Sequence, residues 1–173
     1  MPNFQQFAKE HHEELLRLTQ ELAVIPAPSH HEEKRAKYCL SWLQKNVSKD
    51  AFIDDAKNVI CVIGDPFVKP SVLFMAHTDI VFDADTPLQV TERDGKLLCP
   101  GIGDDTAHVA MILLCAKYAA ENPPKDTRFI FCANSCEEYC YILVFLTISK
   151  FCFCFYYIIY RLSYEPVHAM RNK

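Results

Sequence analysis

Glycine is scarce in this chain: four residues in 173, all between Gly64 and Gly103. Ordinary usage is about 7%, so collagen-like and glycine-rich linker architectures are excluded. No phosphate-cradling P-loop and no G-x-S-x-G nucleophile elbow occurs, which removes those nucleotide-binding and serine-hydrolase classes. Gly101-x-Gly103 is a poor dinucleotide loop, because Thr106 stands at its third position and the two carboxylates between would repel a pyrophosphate. Positive charge is also short, with 18 basic against 22 acidic residues, a net charge of −4 and a pI near 6.0. A nucleic-acid partner held by phosphate neutralisation is therefore not expected. The first residues lack the basic patch and apolar run of a secretory signal. Nine cysteines without a single C-x-x-C read as reduced thiols, and a cytoplasmic location is expected. What the chain does have is 50% hydrophobic and 23% charged residues, the composition of a folded domain.

The average conceals a break after Glu138. Eleven of the 21 aromatic residues lie in residues 1–138, and the other ten crowd into 139–173, which has no glycine. The run from Tyr139 to Tyr160 carries one charge, Lys150, and no turn chemistry. Residues 1–138 and 139–173 are read as two different kinds of sequence.

In the first part, Phe4, Phe7, His11, Leu15, Leu18 and Leu22 recur at helical spacing and predict one amphipathic helix that ends at Pro26-Ala27-Pro28. Ser29 and Glu32 have the spacing of a capping box, and Ala36, Cys39, Leu40, Leu43 and Val47 continue a second helix. Strands are expected over 58–63, 71–76 and 127–133, and Asp94-Gly95 marks a hairpin. A third helix is expected over 106–121. Helices alternating with near-continuous apolar strands give an α/β fold, a layered sheet with flanking helices.

Three polar clusters follow predicted strands or open a helix, where α/β folds place their sites. They are His77-Thr78-Asp79, Asp104-Asp105 and Glu137-Glu138. One imidazole and five carboxylates brought together would repel one another unless a cation neutralised them. Histidine with carboxylates and no thiolate set suits zinc, manganese or cobalt. A histidine two residues before an aspartate fits a metal ligand oriented by a carboxylate. Each cluster alone has a plain structural explanation, since His and Asp cap loops, acidic residues favour helix N-termini and paired Glu residues are commonly solvated. Their order and common placement favour the metal. His11-His12, His30-His31 and the Cys132, Cys136, Cys140 series have no metal-ligand spacing of their own.

These segments resemble the di-zinc metallopeptidases and deacylases that include peptidase T, glutamate carboxypeptidase, acetylornithine deacetylase and aminoacylase. The resemblance runs through Leu22–Ser29 with Glu32-Glu33, Asn58-Val-Ile, Phe74-Met-Ala-His77-Thr-Asp79, Gly101-Ile-Gly-Asp104-Asp105 and Cys136-Glu137-Glu138. It implies the front half of a zinc exopeptidase-like catalytic domain. It further implies that His77 ligates one zinc with Asp79 fixing its ring, that Asp104 bridges two zincs, and that Glu138 ligates the second. Glu137 would be the general base for a water attacking an amide carbon in a small peptide or an N-acyl amino acid. Cobalt or manganese could replace zinc. Asp105 would shape the turn.

The resemblance stops at Tyr139. A glycine-containing loop, a further acidic ligand, a lid or dimerisation domain and a late histidine ligand are expected there and do not appear. Each zinc then has two protein ligands where catalytic zinc generally has three; replacement by His108 or His168 is the weaker reading. The chain is accordingly expected to be a truncated front half joined to an aberrant tail, as frameshift or intron read-through would produce, with homodimers confined to a full-length form. The competing expectation is an inactive fragment held at a membrane by residues 141–162, a stretch long enough to span although Lys150 opposes insertion by about 3 kcal/mol.

Overall fold

The computed structural model describes residues 3–138 apart from 66, 68 and 69. The expectations placed on residues 139–173 lie outside the described residues. The opening periodicity forms two helices, α1 (Phe4–Glu10) and α2 (His12–Ala23), instead of one. The break is at His11, whose φ of −105° and ψ of 14° leave helical values. Its ring stacks on Phe7 with centroids 3.9 Å apart, and its Nδ1 lies 3.0 Å from the Phe7 carbonyl oxygen. Amide bonds from His11 to Phe7 and from Leu15 to His11 continue through the break, so the apolar face keeps its direction. Leu18 and Leu22 on that face are fully buried.

Helix α3 (Glu33–Asn46) starts without the expected capping box. Ser29 Oγ instead donates to Asp79 Oδ2 at 2.7 Å, and Glu32 Oε1 accepts the amides of His30 at 2.8 Å and Cys136 at 3.0 Å. Side chains that could have satisfied the local helix end are taken by distant partners. Ala36, Cys39 and Leu43 face inward as their spacing requires.

A four-stranded sheet has the order β1-β2-β6-β3, with β1 (Phe52–Ile53), β2 (Val59–Ile63), β3 (Ser71–His77) and β6 (Arg128–Asn134). The Asp94-Gly95 turn joins β4 (Thr91–Arg93) to β5 (Lys96–Leu98) as a separate hairpin. Strand β2 pairs antiparallel with β6, whereas β3 pairs parallel with β6 from Ser71 opposite Arg128 to His77 opposite Asn134. The parallel pairing positions the site, because it brings the carboxyl ends of two strands to the same edge.

Helix α4 (Ala107–Glu121) connects the hairpin side to β6. Val109, Ala110, Leu113, Leu114, Ala116 and Ala119 are buried, so the helix is apolar over most of its circumference, as suits one enclosed between other elements. They join Leu18, Leu22, Cys39 and Leu43 against Val59, Cys61, Phe131 and Ala133 in the main core. The alternate residues Ile60, Ile130 and Cys132, with Leu73 and Met75 partly buried, form a second cluster. Alternation of side chains along a strand assigns the two clusters to opposite sheet faces.

Candidate metal centre

His77 is the last residue of β3 and is 7% exposed. Its amide donates to Asp105 Oδ2 at 3.0 Å, which ties the strand end to the turn preceding α4. Its Nδ1 lies 3.1 Å from the main-chain oxygen of Asp79 and 3.4 Å from Asp79 Oδ1. Nε2 is turned the other way, 3.1 Å from Asp104 Oδ1 and 3.9 Å from Glu137 Oε2. One ring nitrogen is therefore held by Asp79 while the other faces two carboxylates, the arrangement of an oriented metal-binding imidazole.

Asp79 is fully buried and does more than meet His77. Its Oδ1 accepts the amide of Glu137 at 3.0 Å, and its Oδ2 accepts the amide of Glu138 at 3.1 Å and the Ser29 hydroxyl. Burial alone would raise its pKa. Hydrogen bonds from His77, Ser29 and the two amides overcome that penalty and hold the carboxyl down at about 2. The same side chain that holds the imidazole thus holds the paired glutamates.

The turn carrying Asp104 spans Ile102–Thr106 and follows Gly101, whose φ is +71°. A Cβ on Gly101 would lie 2.4 Å from Ile80 Cγ2, so both the backbone conformation and the available space require glycine. The Asp104–Asp105 peptide is cis. Thr106 closes the turn by donating its hydroxyl to the Gly101 carbonyl at 2.7 Å. Asp104 itself extends outward with its side chain 84% exposed, in contrast to fully buried Asp79. Asp105 turns inward, accepting the His77 amide on Oδ2 and contacting His108 Nδ1 through Oδ1.

His77, Asp104 and Glu138 each offer one donor atom, and these atoms all lie within 4.8 Å of one another. Burial, and then the neighbouring carboxylates, push the Glu137 and Glu138 carboxyls above their ordinary values, with His77 opposing both. For His77, burial favours the neutral ring, but Asp79, Asp105 and Asp104 together raise its pKa to about 9. The three carboxylates thus favour a positive charge at the ring. One imidazole nitrogen with two carboxylate oxygens is a donor set suited to a divalent metal, and that metal would replace the proton on His77.

All five residues anticipated from the sequence come together, and Asp105 is brought in beside them. The sequence reading missed Arg35 and the use made of Glu32, both fully buried. Arg35 Nη1 donates to the Thr78 carbonyl at 2.9 Å and Thr106 Oγ1 at 3.2 Å, and Nη2 donates to the Ile25 carbonyl at 2.7 Å. In sequence they sit within Glu32-Glu33-Lys34-Arg35, which looks like a solvated run.

Residues 73–141 match the model of peptidase family M20/M25/M40. The chain is 39% identical over 121 residues to a protein of Pyrobaculum aerophilum named as a LysW-lysine/LysW-ornithine hydrolase, covering 70% of this chain and 33% of that one. Its fold is similar to that of aminopeptidase PepT from Bacillus cereus, with a TM-score of 0.60, 20% identity, and coverage of 73% of this chain and 37% of the other. It is also similar to human carnosine dipeptidase 1, with a TM-score of 0.64, 17% identity, and coverage of 84% and 36%. The chain thus spans about a third of the length of these relatives. Among the described residues, no helix is long and apolar enough to cross a membrane. By sequence over residues 73–141 the chain is thus similar to peptidase family M20/M25/M40, and by fold over the described residues it is similar to a part of the aminopeptidase and dipeptidase structures.

Proposed function

We propose that the chain supplies half of a two-zinc centre for hydrolysis of a peptide or amide bond in small peptides or N-acyl amino acids. The observation that carries this reading is the convergence of donor atoms from His77, Asp104 and Glu138 within 4.8 Å. His77 would ligate one metal and Glu138 the other, with Asp104 shared between them. When bound, the metal supplies Lewis acidity toward a water and toward the amide carbonyl.

The remaining work falls to side chains of this chain. Glu137, with Oε2 directed toward His77, receives the proton of the attacking water and passes it to the departing amine. Its raised pKa, caused first by burial, makes it a better proton acceptor than an exposed carboxylate would be. Asp79 keeps His77 in one orientation by occupying the Nδ1 side of the ring. Zinc is favoured by the imidazole and carboxylate donors; cobalt and manganese are accepted by the same set.

Calorimetric titration of the metal-free chain with Zn2+, Co2+ and Mn2+ tests the proposal, alongside D104A and E138A. Saturable binding in the wild type that is lost in both variants is the expected result. No binding, or equal binding in all three proteins, would overturn the assignment. Where hydrolysis of a dipeptide or an N-acetyl amino acid is detected, E137Q should abolish it while leaving the titration unchanged.

A further inference from the structure

The segment from Ile25 to Arg35 touches every loop that carries a residue of the centre. Ile80 donates its amide to the Ala27 carbonyl at 2.9 Å, just beyond His77-Thr78-Asp79, and Ser29 Oγ reaches Asp79. Arg35 spans the carbonyl of Thr78 and the hydroxyl of Thr106, joining the end of β3 to the turn that bears Asp104. Glu32 Oε1 takes the amide of Cys136, the residue immediately before Glu137-Glu138. Glu32 and Arg35 are both fully buried, carry opposite charge and are three residues apart, yet no salt bridge joins them. Glu32 Oε2 and Arg35 Nε have no hydrogen-bond partner. Two buried ions used only to support a fold would ordinarily be paired with each other, because an unpaired buried charge is costly. Here each is committed to loop atoms, and the cost is accepted at the site.

We infer that Glu32 and Arg35 are positioning residues for the metal centre, with Glu32 setting the place of Glu137-Glu138 and Arg35 setting the separation of His77 from Asp104. This rests on the metal-centre reading above. Glu32 acts through a single oxygen on an amide that has positive φ at its own residue, Cys136 at +56°. A left-handed residue of this kind is held by its surroundings, so the acceptor on its amide helps to define which way the next two side chains point. Arg35 acts through a rigid planar fork, whose geometry a lysine cannot reproduce.

The test compares E32Q, which keeps the accepting oxygen, with E32A, which removes it. Two quantities are read on the full chain: Co2+ affinity with its visible absorption spectrum, and amide hydrogen exchange over residues 134–138 without metal. The expected result is that E32Q matches the wild type in both. E32A should lose protection at 136–138 while α4 keeps its own, and its Co2+ affinity should fall about 10–100-fold, as loss of a residue orienting a ligand does. An E32A protein with unchanged exchange and unchanged affinity would overturn the assignment, as would equal losses in E32Q and E32A. If the wild type binds no Co2+, the two-metal reading fails, and the exchange pattern alone decides whether Glu32 positions the glutamate turn. Should E32A not fold, E32D withdraws the carboxylate by one methylene and is judged by the same readouts. R35K is expected to change the Co2+ spectrum without exposing the 136–138 amides, and the reverse pattern would remove Arg35 from its assigned role.

Discussion

The two sides of the centre are built differently. On the sheet side, His77 and Asp79 are buried, and Asp79 receives a hydroxyl and two amides from separate parts of the chain. On the turn side, Asp104 is largely exposed, and among the described residues its carboxylate is hydrogen-bonded only to His77. The sheet side is thus assembled by folding itself, since its carboxylate is satisfied by protein donors before any metal arrives. The turn side places its carboxylate through the turn that carries it, set by the Gly101 backbone, the Thr106 hydroxyl and the Arg35 fork. Substitutions on the two sides should therefore separate stability from metal affinity.

Asp79→Ala should have the largest effect on stability. It leaves two part-buried amides and the Ser29 hydroxyl without their acceptor, and hydrogen bonds to charged groups contribute roughly 1.5–3 kcal/mol each. A loss of at least about 3 kcal/mol is expected from urea unfolding of the metal-free chain. A loss below about 1 kcal/mol would mean that the glutamate turn is held elsewhere and that the contrast between the two sides is false.

Next comes Gly101→Ala, which tests the backbone constraint on the turn side. The positive φ and the overlap with Ile80 together should cost about 1–3 kcal/mol. The same substitution should weaken metal binding, because Asp104 is three residues further along the displaced backbone. Gly95→Ala is the control: Gly95 also has positive φ, but its Cβ would meet nothing within 4 Å, so its cost should be the smaller of the two.

The dependence on pH sharpens the comparison through charge. Asp79 has a folded pKa near 2, below its ordinary value of 3.8, so its contribution is complete above about pH 4 and is lost as pH falls toward 2. His77 is raised from 6.5 to about 9, so its contribution is complete below pH 6.5 and disappears as pH rises through 9. The metal-free chain should show both slopes in a plot of unfolding free energy against pH. D79N should remove the acid slope, and H77Q the alkaline one. Metal affinity should run the opposite way from the His77 contribution, strengthening as pH rises toward 9, because metal and proton compete for the same ring.

Much of this arrangement was legible in the residues. His77, Asp79, Asp104, Glu137 and Glu138 were marked by ligand type and by their places after predicted strands or before a helix, and those placements agree with the fold. The apolar runs that became β3 and β6 could be read directly, but no residue within them specifies that they pair in parallel. That pairing places Asp79 beneath the amides of Glu137 and Glu138, so its role as their acceptor was hidden. Glu32 and Arg35 were hidden for the same reason. Local periodicity cannot show that a charged residue is buried when the atoms that surround it lie some 40 to 100 positions away. The Ser29–Glu32 cap failed on this account as well, since a local rule lost to two distant partners. His11 is a smaller case, where stacking on Phe7 bends a helix whose hydrophobic spacing is unbroken.

Asp104→Ala should have the smallest effect on folding and is for that reason the most informative. Its side chain is exposed, so truncation should change unfolding free energy by no more than about 0.5 kcal/mol, the range of ordinary surface substitutions. The lost contact with His77 is offset in the absence of metal, because one of several converging carboxylates is removed from beside Glu137 and Glu138. Metal affinity should nevertheless collapse, since in the proposed centre Asp104 would be the ligand shared by both metals, its donor atom lying within 4.8 Å of those of His77 and Glu138. A protein that folds as well as the wild type and no longer binds metal would show that the turn side serves the ligand and the sheet side serves the fold. If D104A instead lost as much stability as D79A, the exposed carboxylate would have to be part of the structural framework, and the two sides would be one.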